Sequence, residues 1–231
     1  EHPNGMDTCI LDEPRLKQTF GLDVERISLE EVFDRARSMP QAKLTDLRAE
    51  LDSVLDNLAD LQQAPLQGTI SVFAALRQIA LERKLDGLAV RCWPEFFTQM
   101  GCAACGAMSL LSEGFGGAAP LPCSCEADIN GTVTQLILQI LADAPAFGTD
   151  MVAANLEEDT LALWHCGLAP FSMAAPGAPK HGGNHSNRGV PLVMDFPLKP
   201  GSVTIARISQ ATGELRLVLG QGEVLTNPKP F

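Results

Sequence analysis

The chain lacks several features that would each mark a particular class of protein. Basic residues are too few for a nucleic-acid partner, since 17 Lys and Arg stand against 28 Asp and Glu, and the net charge is −11. The same balance argues against docking on an anionic membrane. No apolar run is long enough to span a bilayer, and the N-terminus lacks the basic-then-apolar pattern of a secretory signal. We therefore expect a cytoplasmic protein without membrane or nucleic-acid partners.

The composition that remains is typical of a folded protein. The chain has 231 residues, of which 45% are hydrophobic and 19% are charged, and this length suits one large domain or two small ones. It begins with EHPNG rather than with Met and ends with NPKPF after a strand-like segment. We expect it to be a piece of a longer polypeptide, with part of any active site outside it.

The seven cysteines are an odd number, and without a signal sequence they are expected to be reduced thiols. Cys102 and Cys105, together with Cys123 and Cys125, have spacings that would fit a four-thiolate zinc site. However, the first pair falls in a helical pattern of small residues and the second in an apolar run. The sequence therefore favours buried cysteines that act as small hydrophobic residues, over a zinc site or a redox pair.

The first part of the chain has the pattern of an α/β layer. Ser28 and Glu31 form a capping box that begins a helix ending before Pro40. Helix and strand patterns then follow in turn, which predicts parallel strands joined by helices. The predicted helices cover residues 41–62, 67–84 and 102–113, and the predicted strands cover 88–93 and 118–125.

The pattern changes after Asp143, where short strand-like segments are separated by turns. The loop 175–189 between them is rich in Gly and Pro. We predict an α/β domain over residues 1–143 and a truncated β-rich C-terminal domain over residues 144–231, antiparallel and shaped as a partial barrel. The predicted strands of this half are 146–153, 160–166, 190–196, 202–208 and 214–219.

Three carboxylates bracket a short apolar helix that follows the second predicted strand. Glu126 and Asp128 precede the helix, Asn130 is a suitable cap, and Asp150 follows it. A helix this apolar is expected to be largely buried, so the acids lie at the edge of a core. Acids placed there need a cation, a proton or hydrogen-bond donors. The alternative is that Glu126 and Asp128 only favour the helix dipole and that Asp150 is a turn residue.

Two of the four histidines are candidates for a site with these acids. His181 and His185 lie in the Gly-rich loop, where mobility and exposure suit a ligand or a catalytic group, although a solvated loop histidine is the alternative. His165 lies in an apolar segment and is expected to be a core or supporting residue. Two carboxylates and one imidazole suit Mn²⁺, Mg²⁺ or Fe²⁺ better than a structural zinc ion.

Four short segments stand out: CWPEF at 92–96, CEADING at 125–131, LWHCG at 163–167 and HSNRG at 185–189. Together they resemble the L-fucose/L-arabinose isomerase superfamily, and in particular its fucose isomerase-like branch. The resemblance implies a metal-dependent aldose–ketose isomerase that uses manganese or another divalent cation such as Mg²⁺, Fe²⁺ or Co²⁺. It also implies a monosaccharide substrate, an ene-diol mechanism and a homo-oligomer.

Family members have two α/β domains and a β-rich C-terminal domain, so the resemblance implies that this chain holds the middle domain and part of the last. The cysteine-rich flanks and the CWPEF segment depart from well-characterised fucose isomerases, so the sugar is expected to differ. A non-catalytic relative that binds sugars or metals is the alternative to an isomerase.

The resemblance also assigns roles to individual residues. Glu126 and Asp150 match the acids that bind the metal and move protons. His185 matches the third metal ligand, with His181 as the alternative, and Asp128 becomes a supporting residue. The residues that the resemblance implies for substrate binding are Trp93, Glu95 and Asn130.

Overall fold

The protein has a mixed α/β fold in which helices dominate the first part of the chain and strands the second. The computed structural model describes residues 1–226, and residues 227–231 lie outside this description. The helices are α1 (Glu13–Phe20), α2 (Leu29–Arg37), α3 (Gln41–Asp52), α4 (Gln63–Arg83), α5 (Ala104–Glu113) and α6 (Ile129–Ala142). The strands are β1 (Leu88–Ala89), β2 (Cys123–Ser124), β3 (Asp150–Asn155), β4 (Thr160–Trp164), β5 (His181–Gly183), β6 (Val193–Asp195), β7 (Gly201–Ser209) and β8 (Arg216–Val224).

Strands β1 and β2 pair in parallel, with Leu88 opposite Cys123 and α5 in the connection between them. This pairing confirms the α/β class. Both strands are shorter than the apolar runs from which they were predicted. Pro120 and Pro122 lack the amide N–H that a ladder requires, so regular pairing begins only after them.

The helix predicted over residues 41–62 ends at Asp52, although its leucine spacing continues. The chain beyond it is bound by a distant segment: the Asp56 amide donates to the Lys180 carbonyl at 3.0 Å. The Asn57 side chain exchanges two hydrogen bonds with the backbone of Gly182, at 2.8 and 2.9 Å. These long-range bonds replace the helical ones, so local periodicity does not decide where α3 ends.

Helix α4 lies at the centre of the hydrophobic core and packs against α2, α3 and α5. Beside it, Phe33 of α2 meets Phe96 edge to face, with ring centroids 5.0 Å apart. Leu168 and Leu192, from the strand-rich half, belong to the same cluster of buried side chains. No helix within residues 1–226 combines the length and apolar character needed to cross a membrane.

The strand-rich half is antiparallel, as predicted, and consists of the pairs β3–β4, β5–β6 and β7–β8. Across residues 1–226 these pairs are separate two-stranded sheets, so they do not close into a barrel. The predicted Gly-rich loop contains β5, whose Gly182 packs against Leu192 and Leu58. A Cβ at Gly182 would lie 2.7 Å from Leu192 Cδ1, so this glycine allows close packing there.

Helix α6 differs from the prediction in its cap and in its burial. Asp128, and not Asn130, caps the helix, because the Asp128 Oδ1 accepts a hydrogen bond from the Gly131 amide at 2.9 Å. Only the first half of α6 is buried; Ile140 and Leu141 in its last turns are 69% and 79% exposed. The apolar pattern of α6 therefore extends beyond the surface that the described chain covers.

The aromatic contact beside α4 predicts a large loss of stability for Phe33→Ala. Removing this fully buried ring leaves a cavity next to Phe96, and such truncations cost about 3–5 kcal/mol. Urea unfolding followed by circular dichroism measures this loss. Phe20→Ala is the matched control, since Phe20 is 39% exposed and should cost less than about 1 kcal/mol. Equal losses for the two variants would contradict this placement of the core.

Candidate active site

Glu126 lies directly after β2, at the carboxyl end of the parallel strand pair, where α/β proteins bind ligands. Glu126 and Ala127 both adopt left-handed backbone conformations, with φ of 62° and 55°. Non-glycine residues rarely take this conformation, and such strain is concentrated at functional sites. The turn is held by a hydrogen bond from the Ala127 amide to the Val90 carbonyl at 3.0 Å. The parallel strand pair therefore fixes the position of Glu126.

Asp150 reaches the same region from β3. It pairs with Trp164 of β4, so it lies beside His165, the next residue along the chain. The His165 Nδ1 accepts a hydrogen bond from the Cys166 amide at 2.8 Å, which leaves Nε2 for another partner. Ligand atoms of His165, Glu126 and Cys125 all lie within 4.8 Å of one another. The hairpin β3–β4 thus brings a carboxylate and an imidazole to Glu126.

The electrostatics of this group are dominated by negative charge. The pKa of Glu126 is raised to about 7, mainly by burial and in addition by the charges of Asp150 and Asp128. Burial lowers the pKa of His165, so this imidazole is neutral at pH 7. In the part of the chain that the structure describes, Glu126 has no ion-pair partner. Carboxylate oxygens and a neutral imidazole with uncompensated charge fit a hard divalent cation such as Mn²⁺ or Mg²⁺.

Asp128 differs from the other two acids because its charge is compensated. Its carboxylate caps α6 and forms an ion pair with Arg207 of β7 through both guanidinium Nη atoms. Arg207 also donates to the Thr8 carbonyl at 2.8 Å. Asp128 therefore joins α6 to β7 and supports the turn that carries Glu126.

The two loop histidines lie in different surroundings. His185 packs edge to face on Phe97, with centroids 5.1 Å apart, and its ligand atoms lie within 4.8 Å of the Cys105 and Cys166 sulfurs. His181 is part of β5 opposite Asp195, and it belongs to no cluster of ligand atoms found in residues 1–226. Within residues 1–226, His185 therefore belongs to a cluster with two thiols, and the histidine whose ligand atoms lie near Glu126 is His165.

The sequence predicts that His165 is a core or supporting residue. The structure places its ligand atoms within 4.8 Å of those of Glu126, directly after Trp164, which pairs with Asp150. The adjacent residues Leu163 and Trp164 are exposed, so the apolar context that suggested a core position is itself at the surface.

The three residues implied for substrate binding are placed differently. Trp93 is partly buried against the core. Glu95 forms an ion pair with Arg91 at 3.2 Å. Asn130 is fully buried: its Nδ2 donates to the Ile10 carbonyl at 2.9 Å, and its Oδ1 accepts from Gln210 at 2.8 Å. These bonds make Asn130 an anchor of α6 in this structure.

All seven cysteines are free thiols, and they are not arranged as the two sequence pairs suggest. Cys102 and Cys123 are fully buried in the core and belong to neither of the potential metal-binding groups formed by the described residues. Cys105 instead contacts Cys125 and Cys166, and hydrogen bonds from these two thiols lower the pKa of Cys105. Three cysteines from separate segments thus meet beside His185.

Comparison with known proteins adds a functional context to this geometry. No protein-family model matches the chain. The chain is similar to sulfoquinovose isomerases. It is 35% identical over 234 residues to that of Alkalicoccus urumqiensis and 32% identical over 239 residues to that of Priestia megaterium, in each case covering the whole chain and 51% of the relative. The sulfoquinovose isomerase of Clostridium sp. (strain MSTE9) is 28% identical over 221 residues, covering 95% of the chain and 48% of that protein. The chain therefore spans about half the length of the curated relatives it matches.

The pKa of Glu126 predicts a pH-dependent stability of the metal-free protein. Since this pKa is about 7 in the folded state and 4.5 without the fold, stability falls as pH rises between these values and is then constant. Glu126→Gln removes the titrating carboxyl group and therefore this loss of folding stability. In EDTA, the variant should melt at a higher temperature than the wild type at pH 8 and at a similar temperature near pH 4.5.

Glu223→Gln is the control for this measurement, because Glu223 is an exposed carboxylate on β8. Its melting temperature should differ from that of the wild type by the same amount at every pH. A difference between Glu126→Gln and wild type that does not change with pH would show that the carboxyl is not destabilised by its surroundings.

Proposed function

We propose that the chain belongs to a metal-dependent aldose–ketose isomerase that acts on a sulfonated hexose by an ene-diol mechanism. The observation that carries the proposal is the cluster of Glu126 and His165 ligand atoms after β2, close enough to Asp150 to feel its charge and without an ion-pair partner for Glu126 among residues 1–226. The similarity to sulfoquinovose isomerases supports the reaction class. We also propose that the protein works in the cytoplasm.

Moving a carbonyl group between C1 and C2 requires a proton to leave one carbon and arrive at the other. A group that carries this proton works best when its pKa lies near the working pH. Glu126, with a pKa of about 7, meets this requirement and is assigned as the proton carrier. Asp150 is assigned as the second acid–base group.

A divalent cation, Mn²⁺ or alternatively Mg²⁺, Fe²⁺ or Co²⁺, would be held by Glu126, Asp150 and His185 and would stabilise the negative charge that develops on two adjacent substrate oxygens. His165 has a free Nε2 near Glu126 and a lowered pKa. As a neutral imidazole it can form a hydrogen bond through Nε2 at neutral pH, without a positive charge that would repel the cation.

Arg188 is proposed to bind the sulfonate group of the substrate. Its guanidinium lies 5.5 Å from the Phe97 ring, whose other contact is the edge of His185. Within the described residues Arg188 has no carboxylate partner, whereas most of the other arginines are paired with acids. An exposed and unpaired guanidinium beside the site is suited to a sulfonate, which remains anionic at any physiological pH.

The hairpin that carries Asp150 supports the proposal of a homo-oligomer. Met151 and Val152 follow Asp150 along β3 and are 66% and 50% exposed, and Leu161 on β4 is 55% exposed. An apolar surface of this kind beside a site is typical of an interface. We propose that assembly of the protein covers this hairpin.

The carboxylate roles predict that Glu126→Gln and Asp150→Asn each lower turnover by about 100-fold or more, since a single acid–base group contributes about 10²–10⁴-fold. The protein at its full natural length, loaded with Mn²⁺, is assayed by NMR for ketose formation from sulfoquinovose and from unsulfonated aldoses. Asp46→Asn changes an exposed carboxylate of α3 and should retain wild-type turnover. Wild-type protein that converts no sugar of the panel would favour a non-catalytic sugar- or metal-binding relative.

The role of Arg188 predicts a change in affinity rather than in rate. Arg188→Met should raise KM for sulfoquinovose about tenfold, because hydrogen bonds to a charged group contribute about 1.5–3 kcal/mol. The kcat for that sugar and both constants for an unsulfonated aldose should change little. Arg216→Met, which removes an exposed arginine of β8, is the control. An equal effect of Arg188→Met on both sugars would contradict a sulfonate-binding role.

A further inference from the structure

A second group of potential metal ligands lies next to the carboxylate site, and it consists mainly of thiols. Ligand atoms of Cys105, Cys166 and His185 all lie within 4.8 Å of one another. Cys105 comes from α5, Cys166 follows β4, and His185 lies between β5 and β6. Cys125, which follows β2 in a fourth segment of the chain, contacts Cys105. Four segments of the chain therefore converge on one thiol-rich point.

The separations suit a tetrahedral zinc ion. Zn–S and Zn–N bonds of about 2.3 and 2.0 Å place neighbouring ligand atoms about 3.3–3.8 Å apart in a tetrahedron. The ligand atoms of Cys105, Cys166 and His185 lie within 4.8 Å of one another, so each pair needs to approach by at most about 1.5 Å to reach this geometry. Rotation of side chains is sufficient for a change of this size.

We propose that Cys105, Cys166 and His185 bind Zn²⁺ or another thiophilic divalent cation, with Cys125 as the fourth ligand. On binding, the ion replaces the thiol protons, which are released to solvent. Cys166 and His185 are partly exposed, so an ion can enter from that side. The binding site itself does not depend on the proposed isomerase function.

The consequence of the site for catalysis does rest on the proposed function. Thiolates select zinc, whereas carboxylate oxygens select Mn²⁺ or Mg²⁺. In the proposed isomerase, His185 is also assigned as a ligand of the carboxylate site. A zinc ion bound by Cys105 and Cys166 withdraws this imidazole, so zinc inhibits an enzyme that manganese activates.

The cysteines outside the group offer matched controls. Cys102 and Cys123 are as deeply buried as Cys105, each with 2% exposure or less, and neither belongs to the clusters that the structure shows among residues 1–226. Serine at these positions imposes a comparable structural change without removing a proposed ligand. Cys166 is the more exposed ligand, so Cys166→Ser is the variant least prone to misfold.

The test is a Co²⁺ titration of the reduced, metal-free protein at its full natural length. Cobalt bound by thiolates gives an intense charge-transfer absorption, which Zn²⁺ should remove by displacement at one ion per chain. Cys105→Ser and Cys166→Ser should weaken Co²⁺ binding about tenfold or more, while Cys102→Ser, Cys123→Ser and Glu126→Gln keep the absorption. No thiolate absorption in the wild type, or equal loss in all four cysteine variants, would overturn the site.

Activity distinguishes this proposal from the proposed function. Zinc should inhibit the Mn²⁺-loaded isomerase at least tenfold more strongly in the wild type than in Cys166→Ser, compared as the ratio of rates with and without zinc. Thiolate absorption without any isomerase activity would leave the site standing and refute the isomerase. Activity without thiolate absorption, and without zinc inhibition that depends on Cys166, would refute the site alone.

Discussion

The electrostatic constraint on Glu126 is the feature on which the rest of the site depends. Folding places its carboxylate in a partly buried position beside Asp150 and Asp128, and among these three acids the described residues supply a counter-charge only to Asp128, from Arg207. Like charges in a poorly solvated position oppose folding unless a proton or a cation neutralises them. The core around α4 supplies the stability that offsets this cost. Glu126 thus combines a strained backbone with an uncompensated carboxylate, and a bound cation would neutralise its charge.

The position of the site follows from how the two parts of the chain are joined. Glu126 belongs to the α/β part, whereas Asp150 and His165 belong to the first hairpin of the strand-rich part. The two parts share one hydrophobic cluster. Thr69 of α4 links them further, since its hydroxyl donates to the Ala103 carbonyl at 2.9 Å and accepts from the Leu192 amide at 3.1 Å. The carboxylates therefore lie at the boundary between the α/β part and the strand-rich part, which shared packing and hydrogen bonds hold together.

The sequence predicts the features that depend on local chemistry. The Ser28 cap begins α2 as expected, through a hydrogen bond from the Glu31 amide at 3.2 Å. The order of helices and strands predicts the parallel pair, and with it the place of Glu126 at the carboxyl end of a strand. Each of these follows from side-chain type and spacing within a few residues, which is the range over which periodicity and capping act.

The features that the sequence does not predict are those decided by distant segments. Helix α3 ends shortly before Asp56 and Asn57, which form hydrogen bonds with Lys180 and Gly182. The side chain of Asn130 forms hydrogen bonds with Ile10, which lies 120 residues before it, and with Gln210, which lies 80 residues after it. The thiol group combines residues that no spacing rule connects. Periodicity shows which side of an element is apolar, but not which element will cover it.

The separation of soft and hard ligands into two neighbouring groups divides residues that are adjacent in the chain. Just past β4, the consecutive residues His165 and Cys166 belong to different groups, His165 with Glu126 and Cys166 with His185. Cys125 and Glu126 are also consecutive, yet their ligand atoms remain together, and Glu126 has a left-handed backbone conformation. Cys125 consequently contacts both groups. The turn with this backbone conformation places the Glu126 carboxylate near the imidazole of His165 and the Cys125 thiol in contact with Cys105. The conformation of Glu126 therefore affects both groups of potential ligands.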